Sequence, residues 1–195
     1  LEPALGKLDP PPADQPARAE FLARTNGLLY GDDFRQGVVL GQRWVYPAGA
    51  VEITLPPSWD TETGAGVVIA TADTRDALLL ARAGDYESAE AGEQELLSGG
   101  GIELGPQWEV QLGGWPTRAR YFGLEENPPR FRGLYAFVET PSGVWELVAL
   151  TTVDKLEDMA AAFEGSMLSF GALNEPQLIG LQPRGVIFAR RIQQI

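Results

Sequence analysis

Histidine and cysteine are both absent from the 195 residues of this chain. Without thiols there are no disulfides, no thiolate metal ligands and no cysteine nucleophile. Without imidazole there is neither Ser-His-Asp hydrolysis nor an HExxH zinc helix. Acid–base chemistry would fall to carboxylates, tyrosines and two lysines, Lys7 and Lys155. Long apolar runs are missing too, and none approaches the roughly 20 residues of a membrane span. The opening LEPALGKLDPPP lacks the basic and apolar regions of an export signal, so any such signal is expected outside this chain. The lack of cysteine leaves the compartment open, because exported proteins of this size can do without disulfides.

Bases are scarce. Acids outnumber them 27 to 15, giving a formal net charge of -12 and a pI near 4.4. Such a chain repels phosphate backbones and anionic lipid, so nucleic acid and acidic membrane surfaces are poor partners. The hydrophobic share of 44% and charged share of 22% are those of an ordinary globular chain. The length fits one domain, or one domain with an arm.

The acids form adjacent pairs, Asp32/Asp33, Glu125/Glu126 and Glu157/Asp158. Neighbouring side chains diverge on a strand or a helix, so none is a ready-made catalytic dyad. Carboxylates from distant positions could still converge as in glycosidases. Gly99-Gly100-Gly101 lacks the spacing of a phosphate-binding loop and reads as a turn. The Asp32/Asp33 loop lacks the alternating acids of a calcium loop and reads as a turn whose acids accept backbone hydrogen bonds. No cofactor or metal motif emerges.

Residues 1 to 15 are proline-rich and read as a linker; residues 16 to 26 read as a helix from Pro16 to the stop at Gly27. Short strands follow at Gly37–Leu40 and Arg43–Tyr46. Val51, Ile53 and Leu55 alternate in a half-buried strand ended by Pro56-Pro57. Val67–Thr71 and Ala77–Ala83 flank the turn Asp73-Thr74-Arg75-Asp76; the second run fits either a strand or a helix, and a hairpin favours strand. Residues 85 to 98 read as a helix with acids in its first turns. Trp108–Leu112 and Thr117–Leu124 read as a hairpin about Gly113-Gly114. Phe131–Glu139 and Val144–Thr151 read as another about TPSG. A last helix is expected to be capped by Asp154, with Glu157 at its third position. Leu156, Met159, Ala160, Phe163 and Met167 form its apolar face. After Phe170, a coil and an edge strand over Gly185–Ile192 are expected. The sum is an α+β fold, an antiparallel sheet with helices packed against it.

The stretch GLLYGDDFRQGVVLGQRWVYP, Gly27 to Pro47, resembles the segment that follows the protease in BepA-like, or Oma-type, bacterial zinc metallopeptidases. Gly27, Leu28, Tyr30, Gly31, Asp32, Asp33, Gln36, Gly37, Val39, Gly41 and Pro47 match that pattern. Phe34, Trp44 and Tyr46 depart from it, where the family has Pro, Phe and His. The stretch SFGALNEPQLIGLQPRGVIFARR, Ser169 to Arg191, resembles the tail of the same family through Ser169, Phe170, Leu173, Leu181 and Pro183, with Gly171 and Gln177 departing. The resemblance implies a PsbP-like fold over 27–195, with 1–26 as linker and helix. It also implies a periplasmic or cell-envelope location and a non-catalytic C-terminal domain, partnered by a zinc peptidase domain. It carries no zinc ligand to this chain. On it, Gly27 to Pro47 reads as a joint, with Trp44 and Tyr46 anchoring the first strands; the alternative is a contact surface for the protease, with Asp32 and Asp33 in it.

One further binding surface is suggested by the arginines. Arg118 and Arg120 alternate on one expected strand, and Arg130 and Arg132 flank the start of the next. If those strands pair, one register parity puts all four on one face, a basic stripe for an acidic protein segment; the other parity splits them. The bland alternative is a solvated face paired with acids, worth little per pair. Three functions are therefore carried forward. The first is an accessory binding or regulatory domain of an envelope metallopeptidase. The others are a stand-alone exported binding protein of PsbP-like fold and a carboxylate-dependent hydrolase.

Overall fold

The computed structural model describes residues 36–124 and 130–175. Eleven strands and two α-helices occur among them. In chain order they are β1 (Val38–Leu40), β2 (Arg43–Tyr46), β3 (Val51–Thr54), β4 (Asp60–Gly64), β5 (Val67–Thr71), β6 (Ala77–Gly84), α1 (Ala89–Ser98), β7 (Ile102–Gln107), β8 (Thr117–Leu124), β9 (Phe131–Thr140), β10 (Gly143–Thr152), α2 (Leu156–Leu168) and β11 (Gly171–Ala172). The expected helix over 16–26 and strand over 185–192 lie outside the described residues.

Two antiparallel sheets result. The larger has the order β4-β5-β6-β10-β9-β8-β7, the smaller β1-β2-β3-β11. The long β9–β10 hairpin forms the middle of the large sheet, where Trp145 pairs with Val138 and Leu147 with Ala136. Both of its faces are buried, so its apolar run is nearly continuous.

One face carries α2 and the small sheet. Trp44, Ile53, Leu134, Trp145, Leu147 and Phe163 pack there, all essentially inaccessible. Trp44 stacks on Tyr46, and both meet the edge of Trp145. The expected anchoring role of Trp44 and Tyr46 is seen directly. Gly37, at φ 80°, leaves room for the indole: a Cβ there would lie 2.3 Å from Trp44 Nε1. The other face carries α1. Ser88 caps that helix by accepting the N–H of Ala91 at 3.1 Å. Gly92 lets α1 approach the sheet, since a Cβ would meet the Phe137 ring at 2.5 Å.

Two expectations need correction, and one strand is unanticipated. Trp108–Leu112 is not a strand; β8 pairs instead with β7, through a bulge between Leu104 and Gln107. Gly105 and Pro106 break the apolar pattern there and hide the strand. The side chains of Trp108, Val110 and Leu112 do turn inward, but as a loop against the α2-side core. Asp154 does not cap α2. It lies in a 3-10 turn, Val153–Lys155, that runs into the helix. A hydrogen bond from Thr152 and then its own backbone N–H hold its carboxyl below the ordinary value. Strand β4 has no counterpart in the sequence reading, because a polar edge strand carries no hydrophobic alternation.

Candidate functional site

The β8–β9 register decides the arginine question. Arg118 lies opposite Phe137 and Arg120 opposite Tyr135, whereas Arg132 lies opposite Gly123. Opposed residues share a face and successive ones alternate. Arg118 and Arg120 therefore face α1, and Arg132 faces α2. The common stripe is not formed. Arg130 precedes β9, and its carbonyl accepts the N–H of Val153 at 3.0 Å. Asp32 and Asp33 lie outside the described residues.

On the α1 face the charges form two Arg–Glu–Tyr clusters. Glu93, on α1, is 7% exposed; it accepts Arg118 Nε at 2.6 Å and the Tyr135 hydroxyl at 2.8 Å. Glu146, on β10, is 4% exposed; it accepts Arg82 Nε at 2.7 Å and the Tyr86 hydroxyl at 3.0 Å. A bare carboxylate at such depth would cost several kcal/mol, and each is matched by a cation and a phenol. Burial pushes the Tyr135 and Tyr86 phenols up, and the neighbouring carboxylate adds to it. The hydrogen bonds to Glu93 and Glu146 raise Arg118 and Arg82 in turn. Glu93 thereby ties α1 to β8 and β9, and Glu146 ties β10 to Arg82 of β6 and to Tyr86. Arg120 reaches the Gly105 carbonyl at 3.2 Å, while its buried Nε finds no partner among the described residues.

On the opposite face a groove runs beside the first half of α2. Its outer part, about 220 Å³, is bounded by β7–β9 and Leu156, with Glu103 and Arg132 across its mouth at 4.0 Å. Its inner part, about 200 Å³, lies between Tyr121, Leu134, Leu156, Ala160 and Phe163. Tyr121, Gly133 and Leu156 line both parts. The Tyr121 hydroxyl donates to Glu164; burial, then that bond, push it up to about 12. Gly123 on β8 and Gly133 on β9 contribute bare backbone to the lining of the outer part. A Cβ at Gly123 would meet only ordinary contacts, the nearest Arg132 Cγ and Glu103 Oε2 at 3.6 Å. Gly133 differs: its Cβ would fall 1.9 Å from the Ala149 carbonyl oxygen, so close packing of strands requires glycine there. The signals for this groove in the sequence are the glycines inside TRARYFGL and FRGLYAF.

The small sheet is the second surface of interest. Gln36–Pro47 and Ser169–Glu175, the described parts of the two resembling stretches, meet in it. Thr54 N–H donates to Ser169 Oγ at 2.8 Å, and Leu173 N–H to the Ala50 carbonyl at 2.8 Å. Leu173 packs on Val38 and Val45, and Arg43 joins Glu52 to Glu175. Val39 and Leu40 on β1 are left 38% and 44% exposed.

An antiparallel sheet with a helix on each face, and a small sheet beside one of them, defines a PsbP-like α+β protein. The solution structure of cyanobacterial PsbP, CyanoP from Synechocystis sp. PCC 6803, matches with a TM-score of 0.53 at 18% identity, over 70% of this chain and 95% of that one. LpqN of Mycobacterium tuberculosis, described as involved in cell envelope biogenesis, gives 0.44 at 18% identity over 62% and 82%. A Pseudomonas aeruginosa protein of unknown function gives 0.40 at 17% over 69% and 92%. The fold assignment rests on the first, and at these identities it is an assignment of fold alone. No protein-family model and no curated protein sequence matches the chain. Among the described residues no helix is long and apolar enough to cross a membrane.

Proposed function

We propose that the chain is a non-catalytic binding or regulatory domain that acts outside the cytoplasm with a cell-envelope zinc metallopeptidase. The observation that carries this reading is the convergence of the two resembling stretches in one small sheet. Residues far apart in the chain, Arg43 and Glu175 or Thr54 and Ser169, are tied together there. The aromatic cluster of Trp44, Tyr46 and Trp145 fixes that sheet to the large one. A joint of this kind presents Val39 and Leu40 on a rigid support, and these are the contact residues assigned to the peptidase. The buried acids support the same reading, since Glu93 and Glu146 are each committed to an arginine.

The test is a pull-down from the envelope of the source organism, with the wild-type domain and a Val39→Asp/Leu40→Asp variant as bait. The wild type should retain a protein with an HExxH motif and the variant should not. Retention by both, or by neither, removes the proposal. The groove beside α2 favours a second reading, a stand-alone exported binding protein, because that site is complete within this chain. The coding sequence upstream of Leu1 separates the two: an in-frame HExxH domain supports the first, a signal sequence the second.

A further inference from the structure

The two parts of the groove differ in chemistry, and the difference specifies an occupant. The inner part is lined mainly by the apolar Leu134, Leu156, Ala160 and Phe163, with Glu157 and Glu164 beside them. Its volume is about 200 Å³. It suits one large apolar side chain. Among the described residues the two linings carry three acids, Glu103, Glu157 and Glu164, and one base, Arg132, which lies 4.0 Å from Glu103. The chain as a whole carries -12. The surroundings therefore favour positive charge beside the apolar anchor and disfavour a fatty-acid carboxylate.

The outer part is walled by β7, the last strand of the large sheet, which has no second strand partner among the described residues. Leu104 on that strand is 46% exposed. An edge strand offers backbone donors and acceptors to an added extended segment. The bulge at Gly105 and Pro106 limits the pairing to the start of the strand, Ile102 to Leu104.

Finally, the floor is open by choice of residue and not by necessity of packing. Gly123 sits within a β-strand, where glycine is disfavoured. Its φ is not left-handed, and a Cβ would find 3.6 Å contacts. Nothing in the local packing demands glycine at this position. Its missing side chain leaves bare backbone beside Glu103 and Arg132, the two charged residues of the outer part.

We propose that this groove binds an extended, cationic peptide segment that inserts one apolar side chain between α2 and β8–β9. The segment crosses the start of β7 toward α2, with its lysine or arginine neighbours on Glu103 and Glu157. The site does not depend on the metallopeptidase reading, since it is built entirely from residues of this chain.

The experiment uses a short fluorescent peptide alternating lysine with leucine, its glutamate-for-lysine counterpart, and decanoate as a competitor. Anisotropy should show binding of the lysine peptide and none of the glutamate peptide. Gly123→Val, which fills the floor, should weaken binding about tenfold or more while the thermal midpoint stays at or above wild type. Glu103→Lys with Glu157→Lys should reverse the preference between the two peptides, a readout that holds even if Gly123→Val fails to fold. Amide shifts on titration should centre on Gly105 and Gly123. No binding of the lysine peptide, equal binding of both peptides, full binding by folded Gly123→Val, or shifts centred elsewhere would each overturn the proposal. So would displacement of the peptide by decanoate at lower concentration than unlabelled peptide.

Discussion

The two faces of the large sheet solve the same burial problem with different chemistry. Toward α2 and the small sheet, the interior is aromatic and aliphatic: Trp44 meets Trp145 and Trp59 meets Phe163 edge to face, Phe170 is tilted against Trp145, and no charged residue among those described is buried there. Toward α1, the sheet buries Tyr135 and Phe137 but also Glu93 and Glu146, the only charged residues counted as buried among those described. The first face gains its stability from area removed from water. The second adds directional bonds that hold α1 in one register over the strands, through Arg118 and Tyr135. The groove opens on the apolar face. There Leu156 of the helix and Tyr121, Gly123 and Gly133 of the strands line the open space.

Four changes test this contrast. Trp145→Ala removes the ring that Trp44, Tyr46 and Phe170 all touch, and it should cost about 3–5 kcal/mol in urea unfolding. A loss below that of any α1-side variant would reverse the ranking of the faces. Glu93→Gln leaves Arg118 and Tyr135 facing a neutral amide. It should cost about 1–3 kcal/mol, toward the lower end because Arg118 is half exposed, and the loss should shrink in high salt. A salt-independent loss would mean that packing, not charge, joins α1 to the sheet. Gly92→Ala should destabilise by about 1 kcal/mol despite the better helix propensity of alanine, because the methyl meets Phe137. A stabilised variant would show that α1 rides more loosely than the ring contact requires.

The smallest effect concerns pH. The Tyr121 phenol titrates near 12 in the folded state and near 10 in the unfolded chain. Below about 10 it is neutral in both states and its stabilising contribution is fully present. As pH rises from about 10 toward 12, the unfolded chain loses its proton first, so stability falls. Tyr86 and Tyr135 are shifted in the same direction and add to the fall. Tyr121→Phe should make the decline of the urea midpoint across this window shallower. An unchanged slope would place the alkaline sensitivity wholly on the α1 face.

Much of the fold was legible before the structure. The β9–β10 hairpin, the α2 stripe through Phe163 and Met167, and the strand of Val51 and Ile53 carry strong periodicity, and all three are present. The region from Ile102 to Leu112 misleads because burial and strand pairing part company there. Val110 and Leu112 are turned inward beyond the end of the β7–β8 pairing, while Leu104 is in the ladder and exposed. Residue type reports burial more faithfully than hydrogen bonding, so a half-exposed edge strand beside a buried loop exchanges their signatures. The candidate site was less legible. The glycines of β8 and β9 were visible, but only their contacts separate Gly133, which packing demands, from Gly123, which it does not.

Composition by itself settled which chemistries this polypeptide cannot perform, because a side chain that is absent cannot be supplied by any fold. Pattern by itself settled the α+β class and most of the strands, because local periodicity follows from how a helix or strand meets its core. The fate of the arginines was left to tertiary structure. A strand alternates with a period of two, and a shift of one residue in the β8–β9 pairing exchanges every side chain between faces. The groove, likewise, is a space between β7, β8, β9 and α2, and only their packing brings Glu103, Gly123, Arg132 and Leu156 to one place.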